Sequence, residues 1–331
     1  LTKLCQTHGK LIVQVQQQDG KYVISLLDGE QNPLDKLSES LTFTLPAESE
    51  TATVLASYEG GSDNWGGQYD GINRTIEFTT PYSGTYEVIE NASEIVDLAD
   101  CDEQTAAAIR FMVSKGYFSV DDAGNFDPNG TLNRYTFAEA LVRMFFALDR
   151  SLTTSFTDVA QDSPYYAYVA SGEQDDIIEG FEDNTFRGET DVLREQVIAL
   201  CSRTLVDKKG YSYPDDPAAY LTFADADTIA DWARETTALA VRETLIDGTG
   251  TLAPQQAITR GEAALLLYRL FMLLYEPPVA EMAFDGFDSG SPVPAVALTL
   301  GGIAVLGGAG AVVYRRRKHT AVPPTDDSDT I

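Results

Sequence analysis

Three stretches of the chain share one order of features, and this internal repeat constrains the fold more than any single motif. Each stretch runs from an acidic segment through a predicted helix and a loop rich in Gly, Asp and Asn to a second helix that opens with an arginine. The three arginines are Arg134, Arg194 and Arg260, spaced by roughly 60 residues. Such spacing predicts units that pack on one another, because one unit alone cannot bury its apolar face.

The second helix of each unit is predicted from apolar residues at helical spacing. These residues are Phe137, Leu141, Met144 and Phe145 in the first copy, Val197, Leu200, Cys201 and Leu205 in the second, and Leu266, Leu267, Leu270, Phe271 and Leu274 in the third. Thr259 and Glu262 have the spacing of a capping box at the start of the third of these helices, and capping alone explains the pair.

The third copy is the most complete of the three. It begins with Phe223-Ala224-Asp225, continues through the loop Asp247-Gly248-Thr249-Gly250-Thr251-Leu252, and ends with the helix start Thr259-Arg260-Gly261-Glu262. This order resembles the S-layer homology repeat, and the resemblance covers roughly residues 95–275. It implies three repeats that form a mainly helical bundle of pseudo-threefold type, at residues 95–150, 151–215 and 216–276.

The resemblance also implies a ligand, because S-layer homology repeats bind wall-linked polysaccharides and recognise terminal pyruvylated sugars in the grooves between repeats. The ligand-binding residues it implies here are Trp232, Arg260, Arg194 and Arg134. An arginine at a helix start can pair with the carboxylate of a ketal pyruvate, and a tryptophan can lie against the apolar face of a sugar. Two structural alternatives remain, in which the arginines bridge repeats through carboxylates and Trp232 packs in a core or between repeats.

The copies are unequal at these positions. The tryptophan of the motif is present only as Trp232, while Tyr165 or Pro164 stands at its position in the second copy and Gln104 in the first. The glutamate of the motif is kept only as Glu262. We therefore expect one or two of the three grooves to be inactive.

The amino-terminal region, residues 1–94, has the alternating pattern of strands instead. Its six candidate strands are short and rich in β-branched and aromatic residues: 11–15, 22–26, 41–45, 52–56, 75–79 and 84–88. This pattern predicts a small β-sandwich. The fold class expected for the whole chain is therefore α+β and multidomain.

The carboxy-terminal region predicts a membrane anchor. Residues 294–314 contain no charged residue, would span about 30 Å as a helix, and precede the basic cluster 315–318. The positive-inside rule then places residues 315–331 in the cytoplasm and the bulk of the chain outside, after a linker at 277–293. A wall-sorting signal would need an LPXTG-like site, which the sequence before the apolar stretch lacks. A core helix is the other alternative, and the glycine content and the basic end argue against it.

Composition excludes several classes of function. The formal net charge is −28, so nucleic acid would be repelled. The chain has three cysteines, two histidines and no Cys/His pair, so we expect no zinc site and no cofactor. The loops from Asp121 and Asp247 resemble EF-hand loops faintly, but turn formation explains their residues better.

These observations favour a non-catalytic cell-surface protein that binds a secondary cell-wall polysaccharide or peptidoglycan-linked polymer and is tethered to the cytoplasmic membrane. No nucleophile and base stand together in a catalytic pattern. The alternative is a structural or adhesive subunit that assembles with other surface-layer subunits and uses the repeats as a spacer. A wall-active hydrolase would require catalytic residues upstream of Leu1.

Overall fold

The alternating pattern at the start of the chain forms two β-sheets. The computed structural model describes residues 10–59, 61–146 and 148–274, together with the backbone of 297–299 and 304–306. The strands of this region are β1 (Ile12–Gln18), β2 (Lys21–Leu27), β3 (Pro33–Leu34), β4 (Lys36–Pro46), β5 (Ala52–Tyr58), β6 (Gly61–Gly66), β7 (Gln68–Asp70), β8 (Thr75–Tyr82) and β9 (Gly84–Glu90). Each of the six predicted strands overlaps one of these.

The two sheets enclose one apolar core. The first has the strand order β1-β2-β9-β5-β6 with β3 beside β2, and the second contains β4, β8 and β7. The core joins the two sheets where the rings of Phe78 and Tyr86 lie 5.1 Å apart. The hydroxyl of Tyr86 donates to the carbonyl of Tyr82 at 2.8 Å, and burial raises the pKa of this phenol. The predicted sandwich is therefore present, and a hydrogen-bonded tyrosine stabilises its interior.

The remainder of the described chain is helical. The helices are α1 (Glu103–Ser114), α2 (Arg134–Phe145), α3 (Tyr166–Gln174), α4 (Arg194–Lys209), α5 (Arg234–Arg242) and α6 (Arg260–Leu274). A 3-10 turn, Asp231–Ala233, leads directly into α5. Each of the three arginines opens a second helix, as the repeat predicted.

The helices form a closed ring, in which the first helix of each repeat packs on the second helix of the repeat before it. The pairs are α3 on α2, α5 on α4, and α1 on α6. Isolated β-bridges join the same neighbours: Asn133 to Asp191, Leu193 to Ala257, and Thr259 back to Thr131. This helical ring, residues 103–274, shares one apolar core. Each amphipathic helix thus buries its apolar face against the neighbouring helix pair.

The sandwich docks on the ring at the end where α2 and α6 finish. Trp65 and Phe78 of the sandwich and Phe146 and Phe271 of the ring line one small cavity of about 50 Å³. Beside this cavity, Arg150 donates to both carboxylate oxygens of Asp63, at 2.7 and 2.9 Å. The arginine starts of α2 and α6 lie at their opposite ends, about 20 Å away by the rise of an α-helix.

A buried lysine connects the ring to the sandwich near this interface. Lys115 follows α1, has no exposed surface, and donates from Nζ to the carbonyl of Ala52 in β5. Burial lowers the pKa of Lys115 to about 8, which the nearby Glu90 and Glu50 partly oppose. A buried ammonium group costs free energy, so this contact is a candidate source of pH-dependent stability.

The predicted membrane helix is not supported by the described part of 294–314. Residues Ala297–Thr299 and Ala304–Leu306 form short antiparallel strands, β10 and β11, and β10 pairs with the outer side of β4. An apolar segment can satisfy its backbone along a sheet edge as well as within a helix, which explains the difference. No helix among the described residues is long and apolar enough to cross a bilayer. The predicted linker, the tail and the rest of 294–314 lie outside the described residues.

Candidate ligand-binding site

The same carboxylate clamp shapes the loop of every repeat. In each repeat an aspartate accepts hydrogen bonds from two successive backbone N–H groups of the loop before the second helix. The clamps are Asp97 to Phe126 and Asp127, Asp158 to Phe186 and Arg187, and Asp225 to Leu252 and Ala253, with distances of 2.7 to 2.9 Å. The backbone N–H groups of Leu252 and Ala253 hold the pKa of Asp225 below its ordinary value.

The second N–H of each clamp belongs to a residue in the left-handed region of φ. These residues are Asp127, Arg187 and Ala253, with φ of 58°, 57° and 51°. A non-glycine residue rarely adopts this conformation, so its recurrence in three loops indicates that the clamp determines the loop shape.

The start of every second helix binds the loop of the next repeat, which creates three junctions. The backbone N–H of the arginine and that of the residue after it each donate to a loop carbonyl of the neighbouring repeat. At the first junction these bonds join repeats one and two, at the second junction repeats two and three, and at the third junction repeats three and one. The donors and acceptors are Arg134 to Thr190, Tyr135 to Gly188, Arg194 to Gln256, Glu195 to Pro254, Arg260 to Gly130, and Gly261 to Pro128.

The first junction buries its arginine. Arg134 is 7% exposed, and its Nε donates to the carbonyl of Phe186 at 2.9 Å. Its Nη1 and Nη2 donate to the side chain of Gln196 and to the carbonyl of Glu179, both at 3.3 Å. Burial and the nearby Arg187 lower the pKa of Arg134 to about 10. This guanidinium bridges repeats through two backbone carbonyls and a side-chain amide, not through the carboxylates that the sequence alternative named.

The aromatic residue of the first junction, Tyr165, packs against another aromatic ring. Tyr165 stacks on Tyr135 with ring centroids 4.8 Å apart and an interplanar angle of 6°. Gly188 lies against the ring of Tyr135, where a β-carbon would come within 2.2 Å of a ring atom. Tyr165 therefore uses one ring face to pack on Tyr135, and Gly188 allows the close approach of the neighbouring loop.

The second junction pairs its arginine with an acid of the next repeat, which is the bridge through a carboxylate that the sequence left open. Nη2 of Arg194 donates to both carboxylate oxygens of Glu262, at 2.7 and 2.8 Å, and Nη1 donates to the carbonyls of Leu252 and Ala253. Glu262 also accepts from the N–H of Thr259, whose hydroxyl accepts from the N–H of Glu262. The predicted capping box is confirmed. Burial alone would raise the pKa of Glu262, but the hydrogen bonds from Arg194 and Thr259 outweigh it and hold this pKa below its ordinary value.

Trp232 belongs to the second junction. It lies two residues after Ala230, whose N–H donates to the buried carboxylate of Glu195 at 3.1 Å, and Glu195 directly follows Arg194. Gln255 holds the other oxygen of Glu195 at 2.7 Å. The side chain of Trp232 is 52% exposed, so it does not pack in the core.

The third junction holds its arginine on carbonyl oxygens. Nε of Arg260 donates to Phe126 at 2.7 Å and Nη2 to Ser119 at 2.9 Å, and the guanidinium lies 4.6 Å from the ring centroid of Phe126. Within the described residues, its Nη1 makes no hydrogen bond. Burial lowers the pKa of Arg260, which Asp127 and Asp97 partly offset.

Trp232 and Arg260 therefore act in different junctions although both belong to the third repeat. The turn that carries Trp232 faces the start of α4, whereas Arg260 reaches back to the first repeat. At the third junction α1 occupies the corresponding place, and its Gln104 accepts a hydrogen bond from Arg269 at 3.2 Å. Of the three helix-start arginines, Arg194 is the one whose helix start bonds to the turn that carries Trp232. Sequence reasoning could have found this only by knowing that each second helix enters the next repeat.

Comparison with protein families finds the S-layer homology domain in residues 155–198 and 222–264. These ranges contain the clamps, loops and helix starts of the second and third repeats. Residues 95–150 are not among the matched ranges, although the structure gives them an equivalent helix pair and clamp.

Curated relatives share part of the chain. It is 26% identical over 218 residues to an amylopullulanase of Thermoanaerobacterium thermosulfurigenes, covering 64% of this chain and 11% of the relative. It is 25% identical over 147 residues to exoglucanase XynX of Acetivibrio thermocellus, covering 44% and 13%. It is 27% identical over 188 residues to a surface-layer 125 kDa protein of Lysinibacillus sphaericus, covering 55% and 15%.

The chain thus spans only a small part, 11 to 15%, of the length of these relatives. Their whole-protein activities are therefore not carried over to this chain. The family match therefore identifies two S-layer homology repeats in the chain, and they are the second and third units of the helical ring.

Proposed function

We propose that the chain is a non-catalytic cell-surface protein that attaches to a secondary cell-wall polysaccharide or another peptidoglycan-linked polymer through the second junction. S-layer homology domains mediate cell-wall binding in surface proteins, and one relative is a surface-layer protein. The observation that carries the proposal is the 52% exposure of Trp232 beside the start of α4. An exposed indole face stacks well on the apolar face of a sugar ring.

Arg194 is the residue proposed to meet an acidic substituent such as a ketal pyruvate. Its side chain is 17% exposed and lies at a helix start, where the dipole favours an anion. Glu262 already occupies Nη2 of Arg194, so a ligand carboxylate would compete with it for the same nitrogen. Removal of the glutamate charge should therefore strengthen the binding of an anionic polymer.

The other two arginines have different parts in the proposal. Arg134 is buried with all three guanidinium nitrogens bonded to protein, which supports a bridging role. Arg260 keeps Nη1 available within the described residues, so it is the second candidate for an anion, but Gln104 cannot stack on a sugar. Residues 95–150 belong to the domain as a divergent first repeat, which supports the packing of the ring.

The absence of catalysis is part of the proposal. Two relatives are named as enzymes, but the chain covers 11% and 13% of their lengths. Their names therefore say nothing about catalysis by this chain.

Cosedimentation with purified cell-wall sacculi tests the proposal. We expect wild-type protein to bind saturably, and we expect Trp232→Ala and Arg194→Ala to weaken binding about ten-fold each, equivalent to about 1.4 kcal/mol. Glu262→Gln should strengthen it, and Met272→Ala, which changes another exposed apolar residue, should leave it unchanged. Equal binding by wild type and Trp232→Ala would refute the assignment of the second junction.

The tether to the cytoplasmic membrane rests on the sequence alone. The described strands at 297–299 and 304–306 do not support a helix there. Cell fractionation of the full chain and of a variant that ends at residue 276 tests it. A tether requires the full chain in the membrane fraction and the truncated chain outside it.

One observation favours the alternative function, a structural subunit that assembles with other surface proteins. It is the edge of the sandwich at β1, whose outer side pairs with no strand of the described part of the chain.

A further inference from the structure

The outer edges of the sandwich differ in their protection against pairing with another strand. β6 faces the helical ring through Asp63 and Arg150, and its pairing with β5 shifts register between Val54 and Leu55. β7 has only three residues, and β4 carries β10 on its outer side. Short strands, bulges and covering segments are the devices by which proteins prevent edge-to-edge association. In the part of the chain that the structure describes, β1 has none of them.

β1 is a regular and uncharged edge. Its seven residues read Ile-Val-Gln-Val-Gln-Gln-Gln, without proline, glycine or charge, and they pair with β2 without a register shift. Within the described residues, nothing pairs with its outer side. Val13 and Val15 pack against the core, while Gln14 and Gln16 are exposed on the opposite face. Such an edge offers a row of backbone donors and acceptors to an incoming strand.

The net charge of the chain favours a second β1 strand as the partner of this edge. At a net charge of −28, two copies repel each other over most of their surfaces. A contact between the β1 strands of two copies brings no charged side chains together, because β1 has none. A glutamine amide both donates and accepts, so it is complementary to itself. An antiparallel pair with its two-fold axis at Val15 would set Gln14 opposite Gln16 of the second copy.

We propose that β1 is a homotypic pairing edge, at which two copies of this chain join their sandwiches into one continuous antiparallel sheet. The contact is isologous, as a two-fold dimer requires. A single strand pair forms a small interface, so association is weak in dilute solution. It becomes substantial where copies are concentrated on a surface, because the effective concentration is then high.

Sedimentation velocity of the full chain over a concentration series up to about 1 mM, the range of weak association, tests the proposal. We expect a monomer–dimer equilibrium for the wild type. Gln14→Lys with Gln16→Lys should weaken it at least ten-fold, because the pairing places lysine opposite lysine. The control Ile72→Lys with Ala92→Lys adds the same charge at exposed positions away from β1 and should dimerise like the wild type.

A charge-swap experiment identifies the contact. Gln14→Glu with Gln16→Glu should be monomeric alone and should form a one-to-one heterodimer when mixed with the double lysine variant. A monomeric wild type at the highest concentration would overturn the proposal. Unchanged dimerisation of the double lysine variant, or a mixture that stays monomeric, would overturn it equally.

Discussion

Replacement of Lys115 by methionine should stabilise the protein at neutral pH. Burial lowers the pKa of Lys115 from 10.5 to about 8. At about 1.36 kcal/mol per pKa unit, the charged side chain disfavours the folded state by about 3 kcal/mol at pH 7. Methionine keeps a similar shape without the charge, but it loses a hydrogen bond from a charged donor to Ala52, worth about 2 kcal/mol. The expected net gain is about 1 kcal/mol.

The same substitution should change the pH dependence of stability. Because the folded-state pKa is the lower one, the unfolded chain binds more protons between pH 8 and 10.5. The free energy of unfolding of the wild type therefore rises with pH in this window. The contribution of Lys115 amounts to about 2 kcal/mol between pH 7 and pH 9.5, and Lys115→Met lacks it.

Urea denaturation followed by circular dichroism measures both effects. Wild type and variant are compared at several pH values from 7 to about 9.5, within the window given by the two pKa values. Lys10→Met is the matched control, because Lys10 is exposed and should contribute little. A variant that is less stable at pH 7 and has the same pH slope as the wild type would refute the reasoning.

Three further substitutions test the ring and its interface by urea denaturation. Asp158→Ala should lower the free energy of unfolding by about 1 to 2 kcal/mol, because two loop N–H groups lose their acceptor, whereas Asp162→Ala should have little effect. Gly188→Ala should cost about 2 kcal/mol, because its β-carbon meets the Tyr135 ring at 2.2 Å, and Gly261→Ala should cost less, because its nearest contact is at 3.0 Å. Asp63→Ala should lower the free energy of unfolding by about 2 kcal/mol, because Arg150 loses its carboxylate partner. Asp70→Ala is the control, and an equal loss in both variants would contradict this interface.

The sequence predicted the ring well because its evidence is local. The arginine helix starts, the apolar spacing after them and the Thr259–Glu262 capping box each lie within one repeat, and the structure contains all of them. The sandwich was predictable from period-two alternation for the same reason. The short strands β3, β6 and β7 lack that alternation and were missed.

The composition of the ligand site could not be predicted, because it depends on which repeat each helix start enters. Trp232 and Arg260 belong to the same repeat, but the closed ring places them in different junctions. The role of Asp97, Asp158 and Asp225 was also missed, although their recurrence at the start of each repeat was a signal. At the carboxy-terminal end, the apolar pattern of 294–314 is compatible with either a helix or strands, and the edge of β4 pairs with part of it.

The most direct test of the central claim uses the fluorescence of Trp232. The chain has two tryptophans, so Trp65→Phe leaves Trp232 as the only indole. Titration of this variant with solubilised cell-wall polysaccharide should change its emission saturably, and Arg194→Ala should weaken the apparent affinity about ten-fold for the pyruvylated polymer but little for the depyruvylated polymer. Emission that does not respond to the intact polymer would contradict sugar binding at the second junction.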